Sequence, residues 1–392
     1  MSQLLNMPFS KLVGNTKLMK KKPAVKKTKL KIALSLDIGS CNTKMLIGRQ
    51  KTNTLYIEQT LMTRTPEKAY EDGTVTDPVS LEAMLKSLIA RDKTNTKDLV
   101  FSIESSKIIK REFVIPRIPD EDILGLVTYE MGQYLPIDIS EYIIQPNVIG
   151  SVMEDEMEKI KVSVSAVPKN IVKGYQNLFI SAGLRPISMD VNSASVEKIL
   201  KFDIMNNSES EFAGKNVVFI DMGHSCFNVS IYENGKYQFN RNIEIGGRML
   251  DIMIAELLRT DWEKAKNIKE ELCGKINAAE LDTKFGGVPS NCQPDNAHEK
   301  ILVELASTLN HWAGQVDKVL QYQTRTRVKS IDKMYLYGGS SLINGITEFF
   351  EKKLAVKTVM ANIYNRFECA PGTDAQNIFT SYGNALGAII RI

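Results

Sequence analysis

Residues 32–44 read I-A-L-S-L-D-I-G-S-C-N-T-K, and residues 217–225 read V-V-F-I-D-M-G-H-S. Each stretch starts as an apolar run, reaches an aspartate (Asp37, Asp221) and meets a glycine two residues later (Gly39, Gly223). A short apolar run closed by a turn signal is the pattern of a strand buried on both faces. The aspartate at its end presents a carboxylate at the mouth of a sheet. The glycine beyond it lets backbone N–H groups approach an anion closely. A single D-x-G is an ordinary turn; two of them, each closing a buried strand, can hold a polyphosphate between them, with the carboxylates positioning Mg²⁺ through its waters.

Working outward from the first stretch, Ile32–Leu36 and Lys44–Gly48 read as strands. A helix over about Ser80–Ala90 starts at Asp77-Pro78. Leu99–Ile103 and Ile108–Ile115 read as strands, and Pro116 and Pro119 mark a boundary. From Asp120, residues Ile123, Val127, Met131 and Tyr134 share one helical face, and that helix stops before Pro136. Two strands bracket the acidic run Glu154–Glu158, the second being Val162–Val167. Helices follow over about Pro168–Ala182, closed by Gly183, and around Ser193–Lys201, before a polar linker at Asn206–Lys215.

The second stretch opens the same plan again. Val217–Ile220 is a strand, and Val229–Tyr232 and Tyr237–Arg241 form a hairpin around Asn234-Gly235. Helices fill most of 247–273 and 298–323, with a loop-like 274–297 between them. Met334–Tyr337 is a strand, 342–353 a helix, and Ile378–Ala388 a helix studded with small residues. Strand, glycine turn, strand, hairpin and helix thus occur twice, which predicts a duplicated α/β domain.

The 392 residues suit two or three domains at roughly 150 residues each. With 43% hydrophobic and 24% charged residues, a disordered chain, a collagen and a coiled-coil rod are excluded. No stretch approaches the roughly 18 to 20 apolar residues of a membrane-spanning helix, and the start does not resemble a secretory signal. The first 31 residues carry nine lysines, and the first acidic residue is Asp37. Those lysines outnumber the whole chain's net charge of +4, so the rest is mildly acidic. A basic arm on an acidic body argues against a nucleic-acid-binding domain. The arm reads as a solvated tail or as a membrane-surface or partner-docking segment, since each lysine near acidic lipid contributes about 1 kcal/mol. Five cysteines (41, 226, 273, 292, 369) form no CxxC pair, and the three histidines (224, 298, 311) are scattered. A disulfide framework or zinc site is therefore not expected.

A third glycine turn, Y-G-G-S-S-L-I-N-G-I at 337–346, follows a strand and opens a helix, a geometry suited to packing against a nucleoside. Three turns in this order resemble the actin-like ATPase superfamily. The resemblance implies an α/β fold of two duplicated RNase H-like halves around a nucleotide cleft, binding ATP and Mg²⁺. Asp37, Gly39 and Lys44 match its first phosphate loop, D-x-G-x-x-x-x-K, with Lys44 as a point charge for phosphate; Ser40, Cys41, Asn42 and Thr43 lie within that loop, Cys41 and Asn42 standing where small hydroxyl residues are common. Asp221, Gly223, His224 and Ser225 match the second, and Gly246 and Gly247 join the set. Gly338, Gly339, Ser340 and Ser341 match the adenosine loop. I-K-E at 268–270 resembles the ribose-contacting segment of actin, which points to Lys269 and Glu270. Asp37 and Asp221 are the implied Mg²⁺ carboxylates, acting through water.

A narrower resemblance covers nearly everything from 31 to 392. D-E-D-I-L-G-L-V-T-Y-E-M-G-Q-Y-L-P-I-D-I-S-E-Y at 120–142 is similar to a helix of the PilM family of type IV pilus assembly proteins. V-S-V-S-A-V-P-K-N-I-V-K-G-Y at 162–175 and A-G-L-R-P-I-S-M-D-V at 182–191 are similar to segments of the same family. The resemblance implies an inserted FtsA/PilM-type 1C subdomain at 110–188. It also implies a cytoplasmic scaffold at the inner face of the cell membrane, recruited by the N-terminal tail of a PilN-type membrane protein. Other platform proteins and self-association are further implied partners. The remaining expected divisions are an arm at 1–29, subdomain 1A at 30–109, 189–212 and 378–392, subdomain 2A at 213–260 and 331–377, and 2B at 261–330. The N-terminal M-S-Q-L-L-N-M-P-F resembles the I-N-L-L-P-like motif of PilN tails with its order altered.

The sequence departs from that family at M-D-V-N, where Asn192 stands in place of a glutamate. An amide is no general base, so slow or absent hydrolysis is expected. Cys41, Asn42, His224 and Cys226 are read as small polar lining of the cleft rather than a redox or metal set. Glu154–Glu158 is read as a solvated loop rather than a cation site, and Trp262 and Trp312 as packing residues. The alternatives are an FtsA-like division filament, which usually carries a C-terminal amphipathic anchor, and a sugar or metabolite kinase. A kinase needs a catalytic aspartate that is not evident here.

Overall fold

A computed structural model describes residues 32–154, 156–276, 297–326, 330–362, 367–371, 373 and 378–391. The arm at 1–29, Cys292 and nearly all of the expected 274–297 loop lie outside the described residues. The chain divides into two compact units. Unit 1 is Met1–Phe202 with Arg366–Thr373 and Asn384–Ile392, and unit 2 is Asp203–Asn365 with Asp374–Gly383.

Unit 1 opens with β1 (Ala33–Ile38), β2 (Asn42–Gln50) and β3 (Leu55–Arg64), an antiparallel meander. A short ribbon of β4 (Tyr70–Glu71) and β5 (Thr74–Val75) leads to α1 (Pro78–Ile89) and β6 (Asp98–Ile103). Then come β7 (Ile109–Pro116), α2 (Asp120–Tyr134), β8 (Tyr142–Glu154), β9 (Met157–Pro168), α3 (Lys169–Ser181), β10 (Arg185–Val191) and α4 (Asn192–Asn206). Next are β11 (Asn216–Met222), β12 (Phe227–Glu233), β13 (Lys236–Ile243), α5 (Gly247–Leu258), α6 (Trp262–Lys275) and α7 (Ala297–Thr326). The last elements are β14 (Lys333–Tyr337), α8 (Ile346–Leu354), β15 (Thr358–Met360), β16 (Phe367–Cys369) and α9 (Ile378–Ile389).

The two main sheets have the same construction. Unit 1 orders its strands β10-β6-β1-β2-β3-β16, and unit 2 orders them β13-β12-β11-β14-β15. In each, a three-stranded antiparallel meander continues through its first strand into two parallel strands. Strand β16 adds to the outer edge of β3 in parallel. The central strands β1 and β11 are almost wholly buried, as their apolar runs require.

Local signals set several boundaries. Asp77 caps α1, accepting hydrogen bonds from the backbone N–H groups of Val79 and Ser80, with Pro78 in the first helical turn. Leu81, Leu85 and Leu88 form its buried stripe. Three acids in the first turn of α2 favour the positive end of its dipole, and Ile123, Val127 and Met131 face inward. Helix α3 ends as expected at Gly183: Leu184 N donates to Phe179 O at 2.9 Å and Gly183 N to Ile180 O at 3.0 Å. Asn234 and Gly235 take φ of 49° and 70°, the two positive values a two-residue primed hairpin turn needs.

Helices α1 and α3 pack on the unit 1 sheet, where Tyr175, Leu178 and Phe179 meet Leu36, Leu99 and Phe101. In unit 2, α5, α7 and α8 cover one sheet face, burying Leu250, Trp312 and Phe350 against Val218, Ile220 and Leu336. Trp312 is fully buried, in line with a packing role. A separate three-stranded sheet, β7-β9-β8, rises from unit 1 with α2 across one face.

Some expectations needed correction. The helix expected over 342–353 begins at Ile346, after a 3-10 turn at Gly339–Leu342, because Gly345 holds φ +79°. The expected C-terminal helix reaches Ile389 and breaks its helical geometry at Tyr382. Strands β3, β4, β5, β10, β15 and β16 were not anticipated; β4, β5, β15 and β16 are two or three residues each, too short to show a period. The described residues of Glu154–Glu158 are exposed where β8 passes into β9, with Glu154 and Met157–Glu158 at the strand ends; Glu154 pairs with Lys159 at 2.9 Å and Glu158 with Arg117, just beyond β7, at 2.7 Å.

Candidate functional site

In unit 1, β1 and β2 join through Gly39–Cys41, and Gly39 N donates to Asn42 O at 3.1 Å. The register sets Asp37 directly opposite Lys44. Their charged groups are 3.7 Å apart, and both side chains are mostly buried. Asn384 of α9 adds an amide 3.4 Å from Asp37 Oδ2. Ser40, Cys41 and Asn42 are half-buried at the tip of this turn, whereas Thr43 is fully buried. Thr65 Oγ1 donates to Gly39 O at 2.7 Å, which leaves Thr43 Oγ1 to donate to Thr65 across 2.9 Å. Thr43 therefore braces the turn through its side chain. Strand β3 also brings Arg64 to the turn, with Nη1 3.1 Å from Cys41 Sγ and 3.4 Å from Asn42 Oδ1.

Unit 2 repeats that turn. Gly223 N donates to Cys226 O, again at 3.1 Å, and Asp221, half-buried, is the second-last residue of β11. The residue opposite Asp221 is Asn228, so the second copy lacks the lysine of the first. Around this turn the other glycine motifs of unit 2 converge. Gly338 holds φ +90°, and a Cβ there would lie 2.4 Å from Asp221 Oδ1 and 2.8 Å from Met222 O. Only glycine meets both conditions. A Cβ on Gly246 would sit 2.4 Å from His224 O, and one on Gly247 2.8 Å from Ser340 Oγ and 3.4 Å from Lys269 Nζ. Gly247 N and Ser340 Oγ both donate to Gly223 O, at 3.2 and 2.9 Å. Ser341 is buried and donates through Oγ to Gly338 O at 2.7 Å.

Asp221, Gly223, His224, Gly246, Gly247, Lys269, Gly338, Ser340 and Ser341 thus form one continuous set of contacts within unit 2. Gly339 is exposed, with open space where a side chain would project. Ser225 and Glu270 are also exposed, at the tip of the second turn and one residue beyond Lys269.

The sequence reading missed the residue at the base of this set. Asp251 on α5 is fully buried, its Oδ2 3.0 Å from His224 Nε2 and its Oδ1 2.7 Å from Lys269 Nζ. Burial pushes its carboxyl upward, but the bonds to His224 and Lys269 prevail and hold it below the ordinary carboxylate value. The available signal was an aspartate on the helix face that Gly247, Leu250 and Ile254 bury. Nearby on α6, burial raises the Cys273 thiol to about 11, so it is held as an unreactive thiol. Asn192 opens α4 in unit 1, buried, with no hydrogen-bond partner for its Oδ1 among the described residues. Among the described residues no group of three or more His, Cys, Asp or Glu side chains gathers as a metal site. None of the described helices is long and apolar enough to cross a membrane.

Comparison with known proteins fits this arrangement. A solved PilM-PilN type IV pilus biogenesis complex is similar over 92% of this chain and 98% of its own, at 21% identity and a TM-score of 0.74. The ethanolamine utilization protein EutJ from Carboxydothermus hydrogenoformans is similar over 92% of each chain, at 12% identity and a TM-score of 0.52. The family model of the type IV pilus assembly protein PilM matches residues 35–389. With its duplicated sheets and glycine turns, the chain has the actin-like ATPase fold and belongs to the PilM family of type IV pilus assembly proteins.

Proposed function

We propose that this chain is an ATP-binding scaffold of type IV pilus assembly, held at the cytoplasmic face of the membrane by the N-terminal tail of a PilN-type protein. The observation that carries the nucleotide reading is the close-packed glycine set of unit 2. A backbone cradle that any Cβ would fill, with Lys269 and Ser340 on its rim, suits a nucleoside phosphate. Gly338, Gly339, Ser340, Lys269 and Glu270 are the proposed nucleoside residues. Asp221, Gly223, His224, Ser225, Gly246 and Gly247 are the proposed phosphate residues. The unit 1 turn, with Asp37, Gly39, Ser40, Cys41, Asn42, Thr43 and Lys44, is a further proposed phosphate contact. Mg²⁺ would accompany the phosphates through water held by Asp37 and Asp221.

When bound, ATP supplies a charged polyphosphate whose binding energy biases the shape offered to a partner. The chain's own residues orient the nucleotide but offer no general base at Asn192, so turnover is slow or absent. The PilN-type partner is supported by the family and by the PilM-PilN complex. Its proposed docking region is the inserted 110–188 segment, within the subdomain plan expected from the sequence.

Calorimetry with full-length chain, ATP–Mg²⁺ and a PilN-type N-terminal peptide tests both parts. Binding of each ligand, with peptide affinity changing when ATP is present, is the expected result. Absence of ATP binding overturns the nucleotide reading, and absence of peptide binding overturns the recruitment reading.

A further inference from the structure

Asp251 is an acid in an apolar place. It shares the buried face of α5 with Gly247, Leu250 and Ile254, and no part of its side chain reaches solvent. An uncompensated buried carboxylate is strongly unfavourable, so a residue kept there must be paired. Its two partners are both residues of the glycine set: His224 from the turn after β11, and Lys269 from α6. These come from separate segments of unit 2 and meet opposite oxygens of Asp251. Lys269 Nζ also lies 3.4 Å from Gly247 O, so its ammonium is aimed along the edge of the glycine cradle.

We propose that Asp251 is a positioning residue. It acts through Lys269 and His224, fixing the ammonium and the imidazole at the rim of the cradle before a nucleotide arrives. The inference rests on the nucleotide reading above for its ligand, while the positioning itself is a property of the free chain. Without the carboxylate, Lys269 has four rotatable bonds and keeps only the long 3.4 Å contact to Gly247 O, and the ordering of such a side chain opposes binding. With it, that ordering is already present in the folded protein.

Two measurements on the full chain test this. In the first, amine-reactive labelling followed by mass spectrometry reads Lys269 in the absence of nucleotide. Asp251→Asn keeps the size and removes the charge, and it should speed labelling of Lys269 about tenfold, as expected for losing a charge-assisted bond. Labelling of Lys264, at the exposed start of α6, should not change. In the second, calorimetry reads ATP affinity. Asp251→Asn should weaken it about tenfold on its own, yet by less than twofold when added to Lys269→Met with His224→Gln, because it acts only through those two.

A full tenfold loss in that background would show a general structural effect and overturn the proposal, as would unchanged Lys269 labelling in Asp251→Asn. Should that variant not fold, labelling wild type across a salt series decides. A buried pair keeps Lys269 protected at high salt, and labelling that reaches the Lys264 rate overturns the proposal. If wild type binds no ATP, the nucleotide reading fails, and the labelling arm still decides whether Asp251 positions Lys269.

Discussion

Lys269 and His224, 45 positions apart in sequence, are held by opposite oxygens of one buried carboxylate, at 2.7 and 3.0 Å. The turn that follows β11 and the helix that follows α5 are therefore joined through this carboxylate as well as by the edge contact of His224 with Trp262. Removing that charge has a predictable pH signature. Among the groups near the carboxylate, His224 and Lys269 lower its pKa, and the half-buried Cys273 sits on the same helix as Lys269.

A depressed carboxyl pKa stabilises the fold in full above the unfolded value, near 3.8, and this contribution is lost as pH falls through the lower folded value. Urea unfolding should therefore show wild type more stable than Asp251→Asn at pH 6, with the gap closing below about pH 4. A gap that widens on acidification would contradict the assignment.

Gly338 combines a left-handed backbone with the tightest approach to Asp221. Gly338→Ala should cost at least about 2 kcal/mol by thermal unfolding and should also weaken ATP binding. Gly339 next to it faces open space, so Gly339→Glu should leave the melting temperature nearly unchanged while abolishing ATP binding. Equal losses of stability in the two variants would show that both glycines serve folding alone.

Lys44 faces Asp37 across the β1–β2 register at 3.7 Å, a separation at which the lysine remains available to a stronger anion. Lys44→Ala and Asp37→Ala should each lower ATP affinity, Lys44→Ala by about tenfold for a lost charge-assisted contact. Calorimetry that finds unchanged affinity in both variants would remove the unit 1 turn from the proposed site.

Hydrolysis by the purified chain should fall far below the roughly 1 to 10³ per second of typical enzymes. Asn192→Glu should raise it and should lower the melting temperature, because the new carboxylate enters a buried position. Turnover of many per second in wild type would contradict the role given to Asn192.

Asp190 and Lys198 form a buried pair in unit 1, with Arg391 close by. Desolvation lowers Lys198 to about 8 despite its partner. Asp190→Asn would leave the buried Lys198 ammonium unpaired beside the half-buried Arg391, so it should cost about 3–5 kcal/mol, more than Lys198→Met, after which Asp190 still feels the Arg391 charge. Chemical denaturation that ranks the two the other way would show that Arg391 does not share the pair.

What the sequence determined by itself was whatever depends on near neighbours along the chain. The two D-x-G turns, the cap at Asp77, the hairpin at Asn234-Gly235 and the stop at Gly183 follow from backbone conformation and capping, which operate over a few residues. Because the D-x-G pattern occurs twice, the duplicated sheet was legible too, and the three glycine turns located most of the candidate site. The tertiary structure decided what depends on contact between distant segments. Asp251 reads in sequence as one acid on a helix, and only folding brings His224 and Lys269 to it. Arg64 reaches the first turn because β3 pairs with β2 in a register that sets Arg64 opposite Asn42. Thr43 braces the first turn through its side chain because Thr65 closes above it. A buried charge is stable only beside its partners, and which partners arrive is set by how helices and strands pack.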